Sequence, residues 1–233
     1  MADRKLSIIL PAYNEETNIG PTLDRLEIYL ARAYPEYEVI VVDDGSCDGT
    51  SRVVRRYMEK NPRIALYRHP VNRGYGAALR SGFAASQGEL VFFMDADGQF
   101  DIRDLDRFFP LVDEYDGIIG YRLRRQDSWL RKVNALGWNL LCRLLLGLRV
   151  KDIDCAFKMY HRRVLDAISL ESTGAMINTE MLAKIRARGF RLHEVGVNHF
   201  PRISGTATGA NPRVIARAFR ELFSLYGRLR SPG

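Results

Sequence analysis

Two carboxylates one residue apart, Asp95 and Asp97, close a short apolar run. Three further polar clusters close other runs: Pro11-Ala12-Tyr13-Asn14-Glu15, Asp43-Asp44-Gly45-Ser46 and Asn72-Arg73-Gly74-Tyr75-Gly76. Alternate residues of an extended strand point the same way, so Asp95 and Asp97 are expected to face one ligand across Ala96. Adjacent carboxylates repel and stay charged when a cation lies between them. Oxygen ligands in this number suit Mg²⁺ or Mn²⁺ held jointly with substrate phosphates, with Gln99 beside them. Asp43 and Asp44 end a β-branched run, where an acid of a nucleotide site accepts hydrogen bonds from ribose hydroxyls or a base edge. Gly74 and Gly76 let backbone approach a ligand, and Arg73 at the start of a helix favours an anion. Turn chemistry alone accounts for any one cluster. It does not account for all four, because no single turn type calls for paired acids twice.

The elements that must position these clusters alternate. Leu6–Leu10, Val39–Val42, Ile64–Tyr67, Leu90–Met94 and Gly117–Tyr121 read as strands. Asn18–Arg32, Ser51–Lys60, Ala77–Ala85 and Leu105–Val112 read as helices. Continuous apolar strands between amphipathic helices predict a doubly wound α/β fold, a mostly parallel sheet covered on both faces. Ligands of such sheets bind beyond the carboxyl ends of the strands, which is where the four clusters fall. The chain has neither a GxGxxG nor a Gly-loop GK[ST] motif, which disfavours a dinucleotide site and a P-loop kinase.

With 233 residues, 46% hydrophobic and 27% charged, the chain suits one folded domain. Cys47, Cys142 and Cys155 have no CxxC spacing, which argues against a disulfide scaffold or a structural zinc and for a reducing compartment. No leader-like apolar run precedes Pro11, and no stretch reaches the roughly 20 apolar residues that span a bilayer. The net charge of +7 is uneven. Residues 117–151 hold eight Lys/Arg against one acid, residues 184–233 hold ten against two, and the remainder is net −8. An acidic body with two basic segments predicts an anionic partner: phosphates, a membrane surface or nucleic acid. No helix-turn-helix, RRM or zinc pattern supports nucleic acid. Residues 129–149, with Trp129, Trp138, many leucines and flanking cations, suit a helix in a membrane interface or one packed on the sheet. Residues 213–230 read as a second basic amphipathic helix, docked on the domain or a partner, or else on the membrane.

The series strand–PAYNE, strand–DDGS, NRGYGAA and strand–DADGQF resembles the family 2 glycosyltransferases of the GT-A fold, densely over about the first 120 residues and more weakly to about residue 208. The resemblance implies that Pro11, Tyr13, Glu15 and Asp44 line a nucleotide-sugar pocket. It implies that Asp95 and Asp97 hold the diphosphate through a divalent metal, with Gln99 alongside. Further on, Gly120-Tyr121-Arg122 with Arg131, Asp152-Ile153-Asp154-Cys155-Ala156-Phe157-Lys158, Asn178-Thr179-Glu180 and Phe200-Pro201-Arg202 resemble the polyprenyl-phosphate branch. Mannose synthases of that branch usually carry a Ser-Gly-Phe-Arg type sequence where this chain has Cys155-Ala156-Phe157-Lys158.

The expectation is one domain: residues 1–121 for the nucleotide sugar, 122–210 for the acceptor, and the basic C-terminal helix 211–233. The expected reaction passes a sugar with inversion from a nucleoside-diphosphate sugar to a polyprenyl phosphate, at the cytoplasmic face of a membrane, alone or with a small membrane-protein partner. Arg122, Arg131 and Arg202 are candidates for phosphates, as arginine matches their geometry with paired donors, and Lys158 keeps a cation of the family motif. Asp152 and Asp154 are the acceptor-side carboxylates, orienting the nucleophile or acting as a nominal base, and Asp97 is counted with them as catalytic. Glu180 is expected to pair with a basic residue of the site. The histidines read as core or surface, His199 having the best functional prospect. Competing readings are a family 2 transferase with a soluble saccharide or protein acceptor, a sugar-nucleotide pyrophosphorylase and a degenerate, non-enzymatic domain.

Overall fold

A computed structural model describes residues 4–34, 36–123, 129–201, 220–223 and 225–228, with backbone only at 129–136 and 139. Its strands are β1 (Leu6–Ala12), β2 (Tyr37–Asp43), β3 (Ile64–Arg68), β4 (Leu90–Met94), β5 (Gly117–Arg122), β6 (Phe157–His161) and β7 (Leu192–Val197). Its helices are α1 (Ile19–Ala33), α2 (Thr50–Met58), α3 (Tyr75–Ala85), α4 (Trp129–Leu146), α5 (Arg162–Asp166) and α6 (Ile177–Ala187).

The seven strands form one sheet in the order β3-β2-β1-β4-β6-β5-β7. Neighbours are parallel except at β6, which runs antiparallel to both β4 and β5. Every residue of β1 and β4 is buried, as continuous apolar runs in a sheet covered on both faces require. Helix α1 turns Ile19, Leu23, Leu26 and Leu30 inward, the stripe its spacing predicts.

Three differences from the sequence reading have local causes. Leu105–Val112 is not an α-helix but two 3₁₀ turns, Ile102–Arg107 and Phe109–Leu111. Pro110 donates no backbone hydrogen bond and disfavours α geometry at Phe109. Strands β6 and β7 were not expected. In β6 a lysine interrupts the apolar run, and in β7 the pattern is only half buried. Phe157 on β6 is nonetheless a core centre: its ring lies 4.6, 5.5 and 5.2 Å from those of Phe92, Phe100 and Phe108.

Helix α4 packs one face on the core, as one reading of the leucine-rich segment expects, and exposes leucines on another. Cys142 and Leu146 are buried in the core, whereas Leu140 is 57% and Leu144 73% exposed. Of the C-terminal amphipathic segment, Leu222 and Leu225 are buried, and Arg228 pairs with Glu171, so this part docks on the domain.

Candidate active site

The loops after β1 and β2 are tied to each other. Asn14, in the left-handed region at φ 56°, donates its N–H to Ser46 Oγ at 2.9 Å and accepts from Cys47 N at 2.9 Å. Glu15 N donates to Thr50 Oγ1 at 2.9 Å, and the Asn18 amide donates to Glu15 Oε2 at 2.6 Å. Pro11 lies buried at the end of β1, while Tyr13 stands 43% exposed on the rim.

The paired acids of the second cluster are structural anchors. Asp43 is fully buried, accepts from Ser46 N at 2.8 Å and from the Ser51 hydroxyl, and lies 3.6 Å from Arg68 Nε. Asp44 is 3% exposed. It accepts from Arg73 N at 2.9 Å and Gly74 N at 2.8 Å, and meets His69 Nδ1 at 2.6 Å. His69 Nε2 continues to Ser81 Oγ at 2.8 Å on α3. The carboxylates of Asp43 and Asp44, from which a ribose or base contact is expected, are thus each engaged by internal donors.

The start of α3 shows the same substitution. Gly76 N and Ala77 N, the donors expected to meet an anion, donate to the Thr173 carbonyl at 2.8 and 3.2 Å. The glycines do permit a close backbone approach, but to this loop. A Cβ on Gly74, whose φ is +99°, would lie 2.4 Å from Thr173 O, and one on Gly76 would lie 2.6 Å from Ser172 O. The Arg73 side chain is exposed. Glu180 secures the loop by accepting from Ser172 N at 2.8 Å and Glu171 N at 3.0 Å. Its ion pair is with Lys184 at 2.7 Å, one turn along its own helix and not a site cation. These bonds hold the Glu180 carboxyl below its usual range against the opposing effect of burial.

Asp95-Ala96-Asp97 forms a turn after β4, not an extension of it, so the alternation argument does not apply. The turn itself brings the two acids together. Burial first, and then the charge of Asp97, raise the Asp95 carboxyl to about 7, with Tyr75, Lys158 and Arg122 acting in the opposite sense. Asp97 is 9% exposed and accepts from Gln99 N at 3.1 Å. Gln99 spends its amide N–H on the Phe200 carbonyl at 2.8 Å. This bond tethers Gln99 to the 200 loop through its NH₂ and leaves the expected metal-side oxygen, Oε1, out of the tether, which a bridge between Phe100 and His199 reinforces.

Around Asp95 gather the acceptor-side residues. Arg122 grips Asp152 with two donors at 2.7 and 2.8 Å, so this cation and this acid engage each other. Asp154 is exposed. Lys158 is fully buried, its ammonium on Asn178 Oδ1 and Ile153 O at 3.0 Å each and on the Cys155 carbonyl. Burial lowers its pKa. It holds the 153–155 loop and has no donor left for a phosphate. Arg131 lies in α4 with its side chain outside the described residues, and Arg202 is likewise outside them.

Sequence reasoning missed Tyr75 and His69. The Tyr75 hydroxyl is buried without a hydrogen-bond partner of good geometry, and burial and the Asp95 charge push its pKa well up. Its place in the glycine cluster was the available signal. His69 gave none. Among the described residues, no three His, Cys, Asp or Glu side chains converge as an all-protein metal cage. What converges is a pair of acids, Asp95 and Asp97, close enough for the charge of Asp97 to raise the Asp95 carboxyl.

The chain belongs to the family Glycosyl transferase family 2, whose model matches residues 7–169. It is 33% identical over 206 residues to an undecaprenyl-phosphate 4-deoxy-4-formamido-L-arabinose transferase of Proteus mirabilis, covering 86% of this chain and 61% of that one. It is 34% identical over 173 residues to a dolichyl-phosphate beta-glucosyltransferase of Trichomonas vaginalis, covering 67% of this chain and 51% of that one. The chain therefore spans between half and two thirds of the length of these curated relatives. In fold it is similar to glucosyl-3-phosphoglycerate synthase from Mycobacterium tuberculosis, solved with Mn²⁺, UDP and phosphoglyceric acid. That similarity has a TM-score of 0.74 at 20% identity and covers 100% of this chain and 81% of the other.

Proposed function

We propose that the chain transfers a sugar, with inversion, from a nucleoside-diphosphate sugar to a polyprenyl phosphate at a membrane surface. Family membership supports glycosyl transfer, and the curated relatives named above support the lipid-phosphate acceptor. The observation that carries the reading is the convergence of Asp95, Asp97, Tyr75, Arg122 and Asp152 on one rim of the sheet, where burial and the charge of Asp97 raise the Asp95 carboxyl. Asp95 and Asp97 would hold Mg²⁺ or Mn²⁺, hard cations that take carboxylate oxygens and leave positions for substrate phosphates. When bound, such an ion neutralises charge growing on the departing nucleoside diphosphate.

The chain's own residues do the rest. Pro11, Tyr13 and Glu15 frame the nucleotide pocket, on a rim that Asp43 and Asp44 hold in shape. Arg122 can leave Asp152 for a phosphate, since a guanidinium binds either oxyanion with the same fork. Asp154, exposed at this edge, orients the attacking oxygen. A phosphate monoester is largely dianionic at neutral pH, so the acceptor needs little help from a base. Lys158 positions the 153–155 loop and does not touch substrate. Among the described residues no helix is long and apolar enough to cross a membrane, and a peripheral position at the cytoplasmic face, alone or beside a small membrane protein, fits the exposed leucines of α4.

The test is a donor and acceptor screen. Each common UDP- and GDP-sugar is incubated with Mg²⁺ or Mn²⁺ and either polyprenyl phosphate or a soluble saccharide, and nucleotide release is measured. Metal-dependent release with one donor and polyprenyl phosphate is expected. Release with saccharide alone would replace the acceptor assignment.

A further inference from the structure

Away from the catalytic rim, a cavity of about 720 Å³ opens between the end of α4, helix α6 and strand β7. It shares no residue with the acid cluster. Its floor is hydrocarbon, from Leu148, Leu182 and Phe190, and its polar lining is dominated by Arg143, Arg149 and Arg186 against the single acid Glu194. Glu194 is engaged, accepting from Lys151 N at 2.6 Å, and Arg186 donates to the Leu146 carbonyl at 3.4 Å. Arg143 and Arg149 are exposed. Leu144 both lines the cavity and is 73% exposed, and Leu140, one turn earlier on α4, is 57% exposed. Three guanidinium groups over an apolar floor are complementary to an anion that carries hydrocarbon. The stripe of leucines at the mouth gives that hydrocarbon a route outward.

We propose that this cavity binds the phosphate headgroup and first methylenes of an anionic membrane phospholipid, while Leu140 and Leu144 enter the bilayer interface. The inference rests on the membrane-surface reading above and adds a second lipid contact, separate from the acceptor. Basic residues at an anionic interface each strengthen binding several-fold, so reversing two of them has a measurable effect.

The test is co-sedimentation of the whole chain with vesicles of phosphatidylcholine alone or with phosphatidylglycerol, at physiological salt. Binding to the mixed vesicles is expected to exceed that to phosphatidylcholine by about tenfold or more. Arg143→Glu with Arg149→Glu should remove that excess, whereas the same change at Arg55 and Arg56, exposed on α2, should leave it. Leu144→Asp should weaken binding to mixed vesicles too. Equal binding to both vesicle types, or equal losses in the two double variants, would overturn the proposal. So would glycerol 3-phosphate competing with the vesicles, which would mark a site for a soluble anion. Mn²⁺-dependent nucleotide-sugar binding, measured by calorimetry on the same samples, checks that the variants are folded. Its absence in the unaltered chain would count against the transferase reading and leave the vesicle result standing.

Discussion

The two sides of the rim hold their acids by different means. On the donor side, Asp43 and Asp44 are fixed mainly by backbone N–H groups, a serine hydroxyl and the His69 ring. Glu15 is held there by the Asn18 amide. On the acceptor side, Asp152 is held by Arg122 and Glu180 in part by Lys184. Backbone donors belong to the fold and cannot be withdrawn without moving it. A guanidinium can be exchanged between one oxyanion and another. On the proposed function, the contrast separates a pre-built nucleotide shelf from an acceptor region whose charges can re-pair around a phosphate.

The largest expected effect tests whether the acid pair drives the chemistry. Asp97→Asn keeps the shape and removes the charge. Turnover should fall by about 10² to 10³, and Mn²⁺ affinity should fall with it by calorimetry, while the melting temperature holds. Unchanged turnover would return the domain to the non-enzymatic reading.

A smaller effect tests the rigidity of the shelf. Asp44→Asn turns an NH₂ toward donors now satisfied by a carboxylate. It should cost about 1–3 kcal/mol in urea unfolding, and nucleotide binding should weaken because the 73–74 turn is no longer held. Asp152→Asn, on the exchangeable side, should leave nucleotide affinity unchanged. Equal losses in both variants would erase the distinction.

Next comes the exchange itself. Arg122→Lys loses the fork. The acceptor KM should rise several-fold, about 1 kcal/mol, with donor affinity unaltered. A shift in donor KM alone would move Arg122 to the other side.

The smallest effect is read against pH. The Glu180 carboxyl is held below its ordinary 4.5 in the folded chain. It therefore contributes stability that is complete above the unfolded value and is lost as pH falls through the folded one. Glu180→Gln should lower stability by about 1 kcal/mol at pH 7 and flatten the decline below pH 4.5, measured by urea unfolding at several pH values.

Much of the shelf was legible in the sequence. Leu6–Leu10, Val39–Val42 and Leu90–Met94 announce themselves as apolar runs, and the clusters that follow them do meet on one rim. What those clusters bond to was not legible. The N–H groups opening α3 take a carbonyl from Thr173, and Asp44 takes donors from residues 73 and 74. A helix start that favours anions does not reveal whether the negative charge comes from a ligand or from the protein. Lys158 misled for a related reason. A cation in a phosphate-binding motif reads as a ligand contact, and only the packing of β6 between β4 and β5 shows it sealed from solvent with three internal acceptors.

The antiparallel strand inserted between β4 and β5 has a consequence for synthesis on the ribosome. When residue 122 leaves the exit tunnel, every side chain of the nucleotide shelf has been made. Yet Phe92 and Phe93 still line an open sheet edge, because their partners Met159 and Lys158 have not emerged. Such an edge is sticky. A fragment ending at residue 122 should therefore precipitate or recruit chaperones instead of binding nucleotide, and the nascent chain should become protease-resistant only after residue 161 is free.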